Sequence, residues 1–218
     1  RRRSVLIGMF LYGLGFLMEG ALPWFAHDAF FRSIERLCED GYILRAGKGM
    51  YIKTSDGDKN IEELLLNYFF GDNNDSGMFI GYRLYNKYMI SSYKGDKIEL
   101  YSTVIRTRTC ELGNIIVKRP EVDLDFENSK VLEALEILQN YHNIENLDKL
   151  KFARYAKQFA GSYNDEAAVN VLLHMKYKKS TIAFMKKILD MYKTQNSLQQ
   201  FLSYASDYKI PAVQRIAR

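Results

Sequence analysis

The chain has 218 residues, 47% hydrophobic and 26% charged, with a formal net charge of +5. This balance excludes a disordered or fibrous chain and supplies enough apolar mass for one large domain or two small ones. Cys38 and Cys110 are the two cysteines. With no CxxC or Cys/His cluster a structural zinc site is not expected, and reduced, buried thiols in a cytoplasmic protein are.

Arg1, Arg2 and Arg3 precede a nearly all-apolar run at 5–18. One reading is a signal peptide, with its basic start and apolar middle. The run falls short of the roughly 20 apolar residues of a membrane span. The reading preferred here is the first, buried helix of an N-terminal module, followed by a short second helix at 21–25 around Pro23.

Residues 26–53 organise the chain. His27 or Asp28 is placed to cap a helix. Phe30, Phe31, Ile34, Leu37 and Cys38 recur at spacings of three and four, which predicts one apolar stripe. Gly41 stops the helix. Two β-prone runs, 42–45 and 50–53, flank a turn at 46–49. Helix followed by basic-tipped hairpin is the element order of a winged helix-turn-helix, whose helix enters the major groove while the hairpin touches the backbone. Arg32, Ser33 and Arg36 are the expected contacts from the helix, since Arg32 and Arg36 share a face. Arg45 and Lys48 would grip the backbone from the hairpin, joined by His27. The bland alternative pairs Arg36 with Glu39 or Asp40 and leaves Lys48 solvated. Tyr42 and Tyr51 are expected on the hairpin's inner side. A module neutralising about four phosphates gives a log K against log salt slope of about −3.6, so a dimer or two copies on an inverted repeat is expected.

The polar stretch 54–60 marks the boundary between a winged-helix domain at 1–56 and a second domain at 57–218. There follow a helix at 61–70, an apolar run at 78–81, a helix at 82–88, and strands at 97–103, 106–112 and 115–119. These make a small α/β or mostly antiparallel unit. From Ser129 the chain reads as helical, with apolar stripes that include Val131, Leu132, Leu135 and Leu138. Later stripes include Leu150, Phe152 and Tyr155; then Val169, Leu172, Leu173 and Met175; then Ile182, Met185, Ile188 and Leu189. Short connections and the lack of a fixed period predict a bundle. The fold class expected is therefore α+β: a winged helix-turn-helix, a small mixed α/β unit and a C-terminal helical bundle.

Asp123 and Asp125, two residues apart, are the sharpest catalytic candidates, because paired carboxylates on a strand can hold Mg²⁺ for nucleotidyl transfer. That chemistry also needs a small-residue turn and a third carboxylate, neither of which the sequence offers. The reading adopted is an acidic stretch whose Asp125 favours the start of the following helix. His27, His142 and His174 are scattered, and no Walker, HExxH or GxSxG motif occurs. No enzyme activity, cofactor or metal is expected.

The segment GYILRAGKGMYIK resembles the wing of AbiEi-type antitoxins, in which a G-x-I-x-R run and a KG-x-Y run follow the recognition helix. Ile80-Gly81-Tyr82, Asn86-Lys87, Leu100-Tyr101-Ser102 and Gly113-Asn114-Ile115-Ile116 are similar to that family's later short strands and small helix. The resemblance covers about residues 20–190. It departs at Ser91-Ser92-Tyr93-Lys94, where the family often carries Thr-Gln-x-Pro. The resemblance implies an autorepressor whose winged helix binds operator DNA upstream of its own gene. It also implies that the second domain neutralises a cognate, nucleotidyltransferase-like toxin of a bacterial phage-defence system. The alternative from another class is a protein-interaction module whose winged helix docks a protein.

Overall fold

The computed structural model describes residues 24–47, 50–53, 61–203 and 206–212, with the backbone alone at 24–28, 44, 46, 47, 50 and 52. The fold is α+β, with seven α-helices and two sheets among the described residues. The chain divides into two compact units: residues 1–68 with 111–113, and residues 69–110 with 114–218. The apolar run at 5–18, the short helix's first residues and the stretch 54–60 lie outside the described residues.

In the first unit, helix α1 spans Trp24–Glu39. It is continuous through His27 and Asp28, so neither is an N-cap and no separate helix ends at Phe25. Between Pro23 and Ala29 no residue breaks a helix, and a helix readily starts just after a proline. Ile34 is buried, Phe30 and Cys38 are half-buried, and Arg32, Ser33, Glu35 and Arg36 are exposed. The helix ends in a Schellman motif: the Tyr42 amide donates to Leu37 O at 2.9 Å and the Gly41 amide to Cys38 O at 3.1 Å. Gly41 has φ of +75°, where a side chain would be strained. Strands β1 (Ile43–Gly47) and β2 (Met50–Lys53) then form an antiparallel hairpin, with Arg45 opposite Tyr51 and a register shift between Arg45 and Gly47.

Helix α2 (Ile61–Phe70) crosses from one unit to the other. Glu62 and Glu63 sit in its first turn, where the helix dipole favours negative charge. Leu65 and Phe69, four apart, are its buried residues.

The second unit holds strands β3 (Gly77–Ile80), β4 (Ile98–Ser102) and β6 (Ile115–Lys118) and the first half of β5 (Thr109–Leu112), with helix α3 (Gly81–Lys87) between β3 and β4. Their order is β3-β4-β6-β5. β3 runs antiparallel to β4, but β4 and β6 pair parallel, Leu100 opposite Val117. The sheet is thus mixed rather than mostly antiparallel, because β6 enters beside β4 instead of adding at the edge beyond β5.

Four more helices follow: α4 (Phe126–Asn140), α5 (Lys149–Gly161), α6 (Asp165–His174) and α7 (Lys179–Met191). Three begin on a capping side chain. Asp125 accepts from the Asn128 amide at 2.8 Å, Asp148 from Leu150 and Lys151 at 2.9 and 3.0 Å, and Asn164 from Ala167 at 3.1 Å. Each satisfies amides that the first helical turn leaves without partners. α4 is central, touching α3, β3, α6 and α7. Its Val131, Leu132, Leu135 and Leu138 are buried, as the periodicity predicts, and so are Ile182, Met185, Ile188 and Leu189 on α7. Sheet and helices share one core, in which Met78, Ile80 and Tyr101 lie in the same cluster as Leu132, Phe152 and Phe184.

Two stripe residues do not belong to the core. Leu150 is 70% exposed and Leu173 is 68% exposed. Leu150 follows the Asp148 cap in the first turn of α5, and α6 instead buries Ala167, Ala168 and Val171. Both cysteines are free thiols, and each is half-buried rather than buried. Burial still pushes the Cys110 thiol up.

Candidate nucleic-acid interface

On α1, the buried Ile34 fixes the phase of the helix, and Arg32 and Arg36 leave the chain one turn apart on the opposite, exposed side. Among the described residues Arg36 forms no ion pair with Glu39 or Asp40. Ser33 is exposed and its hydroxyl donates to Ala29 O at 2.8 Å, a back-bond that leaves its oxygen able to accept. Arg45 is exposed on β1. The His27 side chain and Lys48 lie outside the described residues.

Two aromatic expectations shift. Tyr42 is 64% exposed, because it is the residue just past the glycine of the Schellman motif and leaves the helix end rather than covering the hairpin. Tyr51 is half-buried. Phe31 and Leu37 are also exposed, so the segment offers apolar as well as cationic surface.

The second unit carries a polar centre that sequence reading passes over. Glu133 and Glu136 project from α4 within its leucine-rich run, and both are buried. Glu133 accepts from Lys87 Nζ at 2.5 Å and from the Tyr88 hydroxyl. Glu136 Oε1 accepts from Tyr101 at 2.8 Å and Tyr177 at 2.9 Å. Burial, then the Glu136 charge, pushes the Tyr101 and Tyr177 hydroxyls far up; burial, then the hydrogen bond to Glu133, does so for Tyr88. At neutral pH these hydroxyls are donors that hold a carboxylate in place, not acids that release protons.

Beside Glu136 a cleft of about 340 Å³ is lined by Gly81, Tyr85, Glu99, Lys118 and Asn140 among others. Lys118 Nζ pairs with Glu99 Oε1 at 3.1 Å. Gly81, at φ +60°, lies so close to Glu99 that an added Cβ would stand 2.6 Å from its Oε2. No local pattern announces this centre. The surplus of 16 tyrosines is its one trace in the composition, since a buried tyrosine needs a hydroxyl partner.

Asp123 and Asp125 do not stand as a ligand pair. Asp125 is committed to the start of α4, accepting from Asn128 N at 2.8 Å and Asn128 Nδ2 at 2.7 Å. Asp123 is exposed. Among the described residues no group of three or more His, Cys, Asp or Glu could hold a metal ion. His142 and His174 are exposed, and His174 Nδ1 lies 2.8 Å from Asn170 O. No described helix is long and apolar enough to cross a membrane.

No family model and no curated protein matches the chain. Among solved structures it is similar to the RV2827C protein from Mycobacterium tuberculosis, at a TM-score of 0.42 and 12% identity. That likeness covers 74% of this chain and 64% of the other, so the chain spans less than two thirds of that protein's length.

Proposed function

We propose that the α1–hairpin segment binds duplex DNA, with Arg32, Ser33 and Arg36 presented to the major groove and Arg45 to the flanking phosphates. The observation that supports this most is the pairing of two exposed arginines one turn apart on α1 with an arginine-bearing hairpin directly after it. Arginine reads guanine edges and phosphates by the same planar fork. On this reading the first unit is the working part of a winged helix. The second unit, as in the AbiEi-type antitoxins that the sequence resembles, neutralises a nucleotidyltransferase-like toxin. The chain would then be a cytoplasmic, non-enzymatic autorepressor, acting on an inverted repeat upstream of its own gene as two copies.

The test is fluorescence anisotropy of the full chain against that upstream DNA and a scrambled duplex at several salt concentrations. A preference of at least about a thousandfold for its own sequence, abolished by Arg32→Ala with Arg36→Ala, is expected. Equal affinity for both duplexes would reduce the contact to general charge attraction.

A second reading rests on the exposed Phe31, Leu37 and Tyr42 of the same segment, which suit a protein partner better than a phosphate backbone. It is favoured if toxin neutralisation falls with Phe31→Ala and Tyr42→Ala while neither duplex binds at all.

A further inference from the structure

A second and larger cleft, about 1040 Å³, opens within the second unit and takes no part in the reading above. Its cations come from three places in the fold: Arg106 and Arg108 from the bend ahead of β5, Lys118 and Arg119 from the end of β6, and Lys176 from just past the end of α6. Three hydrogen bonds hold these places together. The Arg119 amide donates to Arg108 O at 3.0 Å and its Nη1 to Arg106 O at 3.3 Å. The Glu121 amide donates to Met175 Sδ at 3.3 Å, tying the stretch after β6 to the end of α6.

The charge is one-sided. Lys118 is paired with Glu99, and Glu121 and Asp123 also line the cleft. Among the described residues, however, Arg106, Arg108, Arg119 and Lys176 have no carboxylate partner. Holding four unpaired cations around one concavity costs self-repulsion, which an anionic ligand relieves. Three of the four are guanidinium groups, whose fork matches phosphate oxygens two at a time. Thr109 adds a hydroxyl, and Val122 and Met175 add apolar lining. The volume stands at the upper end of small-ligand sites, roughly 300–1,000 Å³. That suits a few nucleotides or one nucleotide with its phosphates better than the broad convex face of a duplex.

We propose that this cleft binds a short run of nucleotide phosphates, with a base against Val122 and Met175, independently of the α1 surface. The phosphates belong to a free nucleotide or to a few residues of a single strand.

The test uses the full chain and a fluorescein-labelled single-stranded oligonucleotide of about five nucleotides, with binding read by anisotropy. Arg108→Glu with Lys176→Glu changes two exposed side chains from different parts of the cleft. It should weaken binding at least about tenfold and reduce the log K against log salt slope by about 1.4, at roughly 0.7 per cation for a single strand. Arg32→Ala with Arg36→Ala should leave this binding unchanged, which separates the cleft from the α1 site whatever the fate of the latter. Should the reversal variant unfold earlier than the parent on heating, Arg108→Gln with Lys176→Gln asks the same question without new charges. Displacement by ATP and inorganic triphosphate would support the free-nucleotide source, and displacement by unlabelled oligonucleotide alone the strand. Unchanged affinity in the Gln pair, loss through the α1 pair, or displacement by a blunt duplex alone would overturn the proposal.

Discussion

Tyr101 and Tyr177 donate to the same atom, Oε1 of Glu136, from β4 and from the connection between α6 and α7. One carboxyl on the central helix therefore fastens the sheet and the later helices together. Glu136→Ala should leave the buried Tyr101 hydroxyl without its partner, a loss of about 1–3 kcal/mol for that group alone. Glu136→Gln keeps an acceptor and should lose less. Urea unfolding midpoints of the two variants check the order, and equal losses would mean that packing, not hydrogen bonding, dominates at this site.

The buried tyrosines also set an alkaline limit. Burial, then the charges of Glu136 and Glu99, raises Tyr85; burial, then Tyr88 and Glu133, raises Tyr155; burial and Glu136 raise Tyr101. A hydroxyl with a folded pKa above its unfolded value of about 10 keeps its proton longer in the folded state. Its contribution is complete below pH of about 10 and is lost as pH rises towards the folded value. Each such tyrosine steepens the fall by about 1.4 kcal/mol per pH unit. The part of the tyrosinate absorbance that a Tyr85→Phe, Tyr101→Phe, Tyr155→Phe variant loses should appear in one transition with the loss of helical circular dichroism. That part appearing ahead of unfolding would refute the assignment.

Asp125 and Asp123 should separate cleanly. Asp125→Ala removes the cap of α4 and should cost about 0.5–2 kcal/mol. Asp123→Ala alters an exposed side chain and should stay within about 0.5 kcal/mol of the parent. Thermal melts of both variants decide it. A nucleotide-transfer activity lost in both would instead restore the catalytic pair.

Gly81→Ala should cost more than Gly41→Ala. Both glycines have positive φ, for which alanine pays about 1–2 kcal/mol. At Gly41 a new Cβ meets nothing within 4 Å, whereas at Gly81 it meets Glu99 Oε2 at 2.6 Å. Moving Glu99 also breaks its pair with Lys118. Combining Gly81→Ala with Glu99→Ala should recover the steric part, leaving a loss like that of Gly41→Ala. Denaturation midpoints of the three variants test this.

What the sequence displays well is periodicity where one side of an element meets the core. The helix at 61–70 is found where its apolar spacing places it, and Ile34 sets the phase that leaves Arg32 and Arg36 outside. Leu150 and Leu173 mislead because periodicity cannot tell a buried turn from a terminal one: each lies in the first or last turn of its helix, away from the shared core. The parallel pairing of β4 with β6 is invisible locally, since strands this short, IELYS and IIVK, do not specify the direction of their partner. Glu133 and Glu136 read as solvent-facing breaks in a leucine stripe. Only the distant Lys87, Tyr88, Tyr101 and Tyr177 make their burial tolerable, and those partners meet them through the tertiary fold alone. The cationic cleft is hidden for the same reason, its arginines and Lys176 being more than fifty residues apart in the chain.

The interior position of β6 has a bearing on how the protein is made. Synthesis proceeds from the N-terminus at roughly 5–20 residues per second, and β3 and β4 emerge first. Until Ile115–Lys118 follows, β4 offers an unpaired row of amides and carbonyls on the side that Ile115 and Val117 will close. The ribosome-bound chain therefore passes through an interval with an open, apolar strand edge. That interval ends not when the sheet grows outward but when its later strand slots in beside an earlier one.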